Sequence, residues 1–232
     1  MNFFSKTTFA LTLVAALCGT AHADIVNGNF SAGLTGWNTL GDASVQAGQL
    51  NLNTSTVAAD DESPAGLVSF NRSGVDAAGF DALTAAAGLA PDGLDNDGHY
   101  AWEGALASQS FFASIGQTIS FLWDFGTRDL MNPDYAFVVI DGVVQRLETL
   151  MGPGAGDSLF ATGAQSFNFT LTAGGNHTLA FGVVDMDESA GLSSLTVNDV
   201  RLSGGSNNVP EPASLALVAL GLGLLLGRKR RT

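Results

Sequence analysis

The chain has 232 residues, a formal net charge of −13, 29 glycines and a single cysteine, and 46% of its residues are hydrophobic. Between residues 24 and 209 the only bases are Arg72, Arg128, Arg146 and Arg201, set against about twenty-one of the chain's 22 Asp and Glu. Such a charge repels phosphate backbones and anionic lipid surfaces, which excludes nucleic acid as a partner, and one cysteine permits neither a disulfide framework nor a cysteine metal site.

Residues 1–23 read as a signal peptide. Lys6 supplies the positive end, residues 9–17 the apolar run, and Ala21 and Ala23 the small side chains that signal peptidase requires, so maturation is expected at Asp24. Leu17 stands before Cys18 where a lipidation site needs a small residue. Export would therefore remove the only thiol and leave packing to stabilise the fold. Residues 24–202, within a mature segment of roughly 185 residues, are long enough for one domain with its own core.

Within that domain "GQLNLN" (48–53) reads as a short strand, and the alanine-rich "FDALTAAAGLA" (80–90) as either a short helix or loop. The loop "PDGLDNDG" (91–98) offers Asp92, Asp95 and Asp97, oxygen ligands suited to a hard cation such as Ca2+. Its spacing is not that of an EF-hand, because glycines (Gly93 and Gly104) stand where the first ligand and the bidentate glutamate belong. Asp185, Asp187 and Glu188 form a second acidic group of the same kind. "HYAWEG" places Trp102 in a loop as a candidate platform for a sugar ring, whereas Trp37 and Trp123 read as core.

From residue 108 the hydrophobic period is two. In "TISFLWDF" Ile119, Phe121, Trp123 and Phe125 share a face, and "YAFVVIDG" (135–142) is apolar on both faces, as in a central strand closed by an Asp-Gly turn. "SFNFTLT" (166–172), the turn 173–177 and "TLAFGVV" (178–184) read as a hairpin. "LTVNDVRL" (195–202) breaks phase between Val197 and Val200, which predicts a bulge near Asn198 or Asp199. Strands without βαβ alternation give an all-β class, an antiparallel β-sandwich of jelly-roll type, flanked by the signal peptide and a single C-terminal transmembrane helix.

Catalysis is not expected. There is no G-x-S-x-G elbow, no thiol after maturation, and only His99 and His177 remain, the latter assigned to a turn. A glycosidase pair of carboxylates stays open, but no pair is singled out.

Residues 203–209 form a flexible linker, and 210–232 form a tail. Its apolar stretch, 213–227, would span roughly 22 Å as a helix against roughly 30 Å of hydrocarbon. Arg228, Lys229, Arg230 and Arg231 hold its end on the cytoplasmic side, leaving the domain outside. In "VPEP" the prolines enforce an extended segment that a processing enzyme can bind.

This order of "VPEP", short apolar span and "RKRR" resembles the PEP-CTERM sorting signal of Gram-negative bacteria. The resemblance implies that Pro210, Glu211 and Pro212 are recognised by a membrane enzyme, exosortase, and that the protein passes from the inner membrane to the cell surface or extracellular matrix, in association with exopolysaccharide and biofilm. The body's opening, "IVNGNFSAGLTGW", resembles the first strands of galactose-binding-like jelly rolls, through Asn27, Gly28, Phe30, Gly36 and Trp37. That second resemblance implies a structural calcium joining first and last strands, and nominates Asp199. The expected function is structural or adhesive, the alternative is a carbohydrate-binding module with a definite glycan ligand, and a glycoside hydrolase is third.

Overall fold

The computed structural model describes residues 24–58, 70–129, 132–149, 160–187 and 191–204. The signal peptidase residues Ala21 and Ala23, the acidic Glu188, the motif Pro210, Glu211 and Pro212, and the basic residues Arg228, Lys229, Arg230 and Arg231 lie outside them. Among the described residues no helix is long and apolar enough to cross a membrane.

In chain order the elements are β1 (Asn38–Leu40), β2 (Asp42–Gln46), β3 (Gln49–Asn53), β4 (Ala78–Gly79), α1 (Phe80–Ala86), β5 (Ala101–Ala113), β6 (Gln117–Thr127), β7 (Tyr135–Ile140), β8 (Val143–Thr149), β9 (Phe160–Ala161), β10 (Gln165–Thr170), β11 (Gly175–Met186) and β12 (Ser193–Gly204). Among the described residues they form two six-stranded antiparallel sheets. The first runs β1-β5-β11-β7-β8 with β4 on β5, and the second β10-β6-β12-β3-β2 with β9 on β6. The all-β sandwich expected from the alternating sequence is the observed architecture.

Alternation places the cores. Ile119, Phe121, Trp123 and Phe125 of β6 face Leu179, Phe181 and Val183 of β11 between the sheets, joined by Leu50, Leu52, Leu195 and Val197. The opposite face of β11 carries Ala180, Val184 and Met186 into a second core, which α1 closes through Leu83 and which includes Tyr135, Phe137 and Val139. β7 therefore has apolar partners on both sides, the reason its sequence lacks alternation. At its end Asp141 and Gly142, with φ of 52° and 75°, make the two-residue turn that pairs β7 with β8. The ambiguous alanine-rich stretch contains the helix α1.

One expected pairing is corrected. The strands around 166–172 and 178–184 do not form a hairpin: β10 pairs with β6 in the second sheet, while β11 pairs with β5 and β7 in the first. Alternation fixes which side of a strand is apolar, but not which neighbour bonds its edge. Here the chain crosses between sheets after Leu171, which exchanges backbone hydrogen bonds with Gly116 and Gln117. His177 consequently lies in β11 rather than in a turn, 5% exposed, stacked on Phe111 and hydrogen-bonded through Nδ1 to Asp141.

The expected bulge in β12 is present. Asn198 pairs with Leu122 and Arg201 with Ser120, so three steps on β12 match two on β6, and Asp199 has a φ of 58°. The extra residue returns Val200 to the inner side with Val197, both buried.

Candidate functional site

The N-terminal motif is accounted for by packing. Asn27 Nδ2 donates to the carbonyls of Gly33 and Thr35, and its Oδ1 accepts the Ala32 amide, so one side chain shapes the following loop. Phe30 and Trp37 enter the inter-sheet core with ring centroids 5.3 Å apart. Gly28 lies on the β12 bulge, where its carbonyl accepts the Val200 amide at 2.9 Å. Asp199, nominated for a cation at this junction, is instead ion-paired with Arg201.

The other candidate ligands are dispersed. Asp95 Oδ1 accepts the Ala101 amide, Asp97 lies 3.9 Å from Arg146, and Asp92 sits on the exposed turn with a φ of 62°. Asp187 accepts the Tyr100 amide and hydrogen-bonds His99. The Tyr100 amide, with the His99 contact second, holds the Asp187 carboxyl below the usual carboxylate range. Trp102, placed by sequence in a loop, belongs to β5; it is 53% exposed and follows Tyr100, itself 69% exposed.

The structure gathers a different set. Asp129, Asp134 and Asp185 are buried, and one ligand oxygen from each lies within 4.8 Å of the others, the one such cluster among the described residues. They close one end of the sandwich where Thr127 ends β6, Tyr135 begins β7, Met186 ends β11 and Ser193 begins β12. Asp134 Oδ1 accepts the Met186 amide at 3.0 Å, and its Oδ2 accepts Ser193 Oγ at 2.5 Å. Ser193 Oγ also lies 2.7 Å from Thr127 Oγ1, which accepts the Asp129 amide, while Thr54 Oγ1 accepts the Ser193 amide. Both sheets thus contribute to one oxygen-rich plug.

Burial pushes the Asp134 carboxyl up to about 7; the negative charge of Asp129 adds to this, and hydrogen bonds from Ser193, Asp185 and the Met186 amide oppose it. Three carboxylates this close in a dry site need a proton or a cation between them. An all-oxygen donor set with excess negative charge matches calcium rather than zinc or a softer metal. Of these residues sequence reading nominated Asp185 alone, in the group with Asp187 and Glu188. The available signal was its parity: Asp185 continues the inward series of Leu179, Phe181 and Val183. Asp129 and Asp134 fall outside any regular strand and carry no such mark.

Residues 208–231 match the PEP-CTERM protein-sorting motif. No curated protein matches the chain. Among solved structures the chain is similar to a CBM4 structure, at 11% identity over 77% of this chain and 98% of that one, with a TM-score of 0.36. It is also similar to TmCBM61 solved in complex with beta-1,4-galactotriose, at 9% identity over 80% and 100% of the two chains and a TM-score of 0.37. The K3 cleaved adhesin domain of Lys-gingipain from Porphyromonas gingivalis is similar at 11% identity over 79% and 100%, with a TM-score of 0.38.

Proposed function

We propose that this protein is a non-enzymatic component of the extracellular polysaccharide matrix, delivered by the sorting motif and holding its place through an acidic β-sandwich. The observation that carries this reading is the motif at 208–231, in which Pro210, Glu211 and Pro212 precede the apolar span and the basic residues Arg228 to Arg231. Exosortase is the processing partner, and the inner membrane a station on the way to the surface. Glu211→Ala or Pro212→Ala is expected to leave full-length precursor in the membrane fraction, with a mass that includes the tail. Normal release of a shortened product from either variant would defeat the sorting role.

Calcium is the cofactor of this reading, held by Asp129, Asp134 and Asp185. Its place between the ends of four strands gives it a structural role: neutralising the plug and fixing the two sheets to each other.

A second reading, a module for a specific neutral glycan, is favoured by the exposure of Trp102 and Tyr100. On that reading Trp102→Ala abolishes binding on a glycan array while leaving the melting temperature unchanged. No binding by the wild type at millimolar sugar removes it.

A further inference from the structure

A pocket of about 400 Å³ opens on the outer face of the first sheet, at the edge of the second core, with which it shares Ala87, Val139 and Ala180. Its floor follows from strand register. Asn38 of β1 pairs with Ser108 of β5, Ser108 with Ala180 of β11, and Ala180 with Val139 of β7, so these four form one row across the sheet. Two residues along, on the same face, Ser110 pairs with Thr178 in a second row. Asp141 completes that row: its amide donates to the Thr178 carbonyl at 3.1 Å, and its Oδ1 accepts the Thr178 amide at 2.9 Å.

The wall is the end of α1. Gly88 donates to the Ala85 carbonyl and Leu89 to that of Thr84, and Gly88 takes a φ of 71°, the pattern of a Schellman stop. Ala85, Ala86, Ala87 and Gly88 therefore border the sheet with side chains of one carbon or none, and the space that Leu83 fills one turn earlier stays open. On the far side the helix end meets the β7–β8 turn, where a Cβ on Gly142 would stand 3.5 Å from the Gly88 carbonyl oxygen.

Asp141 is the charged member of this lining, with its side chain 46% exposed. Its Oδ2 lies 2.7 Å from Nδ1 of the buried His177, whose Nε2 has no partner among the described residues. An N–H at Nε2 would lack an acceptor there, so the ring donates from Nδ1 alone and the pair keeps the negative charge of its carboxylate.

We propose that this pocket binds an amino sugar, a hexosamine residue of an extracellular polysaccharide whose nitrogen is a free ammonium group. An ammonium offers three N–H donors, and its bond to the Asp141 carboxylate is of the strong, charge-assisted kind. The hydroxyls of Ser108, Ser110 and Thr178 and the Asn38 amide both donate and accept, as sugar hydroxyls require. Ala180, Val139 and the alanines of α1 offer an apolar surface to the ring's C–H groups. The volume corresponds to roughly thirteen waters at about 30 Å³ each, room for a sugar ring with its substituents. A net charge of −13 draws a polycationic chain towards the protein.

The proposal names a ligand for the matrix role above and rests on it only for the polymer's source. The test is calorimetric titration of the full-length protein in detergent with triglucosamine, with its N-acetylated counterpart, and with trilysine. Triglucosamine is expected to bind, and the other two at least about tenfold more weakly. Asp141→Asn should weaken triglucosamine binding by about tenfold or more, because asparagine tolerates the φ of 52° and accepts the Thr178 amide but lacks the charge. Ala86→Leu, at an exposed helix position, should abolish binding by filling the pocket with no change in charge. Asp92→Asn, on an exposed turn, and Trp102→Ala should leave binding unchanged, and melting curves verify that each variant is folded. Equal binding of the two trisaccharides, trilysine as tight as triglucosamine, or no heat at millimolar triglucosamine each overturns the proposal, as does wild-type affinity in Asp141→Asn or Ala86→Leu or a loss in Trp102→Ala. None of these outcomes touches tail processing, which is read separately by mass.

Discussion

Stripped of divalent cations by a chelator, the wild-type protein loses stability relative to Asp134→Asn as the pH rises from about 4 to about 7. Burial holds the proton on the folded Asp134 to about 7, whereas an unfolded aspartate releases it near the ordinary value of 3.8. Between these values the native state binds more protons than the unfolded one, so stability must fall with rising pH. The contribution is complete below the lower value and gone above the upper. About three units at roughly 1.4 kcal/mol each set its scale at on the order of 4 kcal/mol. In the proposed structural role calcium would take the proton's place as the neutralising charge. At a hundredfold excess over its Kd it should restore about 2.7 kcal/mol, a rise in Tm of roughly 5 to 10 °C. Asp134→Asn removes the titrating group and should flatten the chelated profile. Identical melting curves with chelator and with calcium at pH 8 would remove the metal, and a chelated wild type that parallels Asp134→Asn across this range would remove the raised carboxyl.

Gly28→Ala is expected to cost about 3 kcal/mol, the upper end of overpacking penalties, with a Tm lower by on the order of 10 °C. A Cβ on Gly28 would stand 2.0 Å from the Val200 carbonyl oxygen and 3.0 Å from its carbon. That carbonyl belongs to the bulge of β12, whose flanking residues Asn198 and Arg201 pair with β6, and cannot swing aside as a side chain end could. Relief requires the N-terminal segment to lift, breaking the Val200–Gly28 hydrogen bond and unseating Phe30 and Trp37. A denaturation midpoint equal to that of the wild type would show that the N-terminal segment does not depend on this contact.

The two-sheet architecture was legible because β6 and β10 alternate cleanly, and the bulge because Val197 and Val200 of β12 fall on opposite parities. Strand partners were not legible. Residues 166–172 and 178–184 have hairpin spacing and turn chemistry, yet they join different sheets, because pairing depends on competition among all the edges. Trp102 was placed in a loop since "HYAWEG" has no apolar period, although β5 carries it. The carboxylate plug was largely invisible, because Asp129, Asp134 and Asp185 meet only when the ends of β6, β7 and β11 do. Asp92, Asp95 and Asp97 form the denser acidic run in sequence, yet Asp95 accepts the Ala101 amide, Asp97 approaches Arg146 and Asp92 sits on an exposed turn.

β12 lies in the middle of the second sheet, with Ser193 beside the carboxylate plug at one end and Gly204 at the end that precedes the sorting motif. Tension applied between its two ends would load this strand along its own axis. Ladder hydrogen bonds to β6 and β3 run across that axis, so they resist together in shear instead of peeling open one pair at a time. The domain is therefore strung to carry tension, a mechanical strength obtained without a single covalent cross-link.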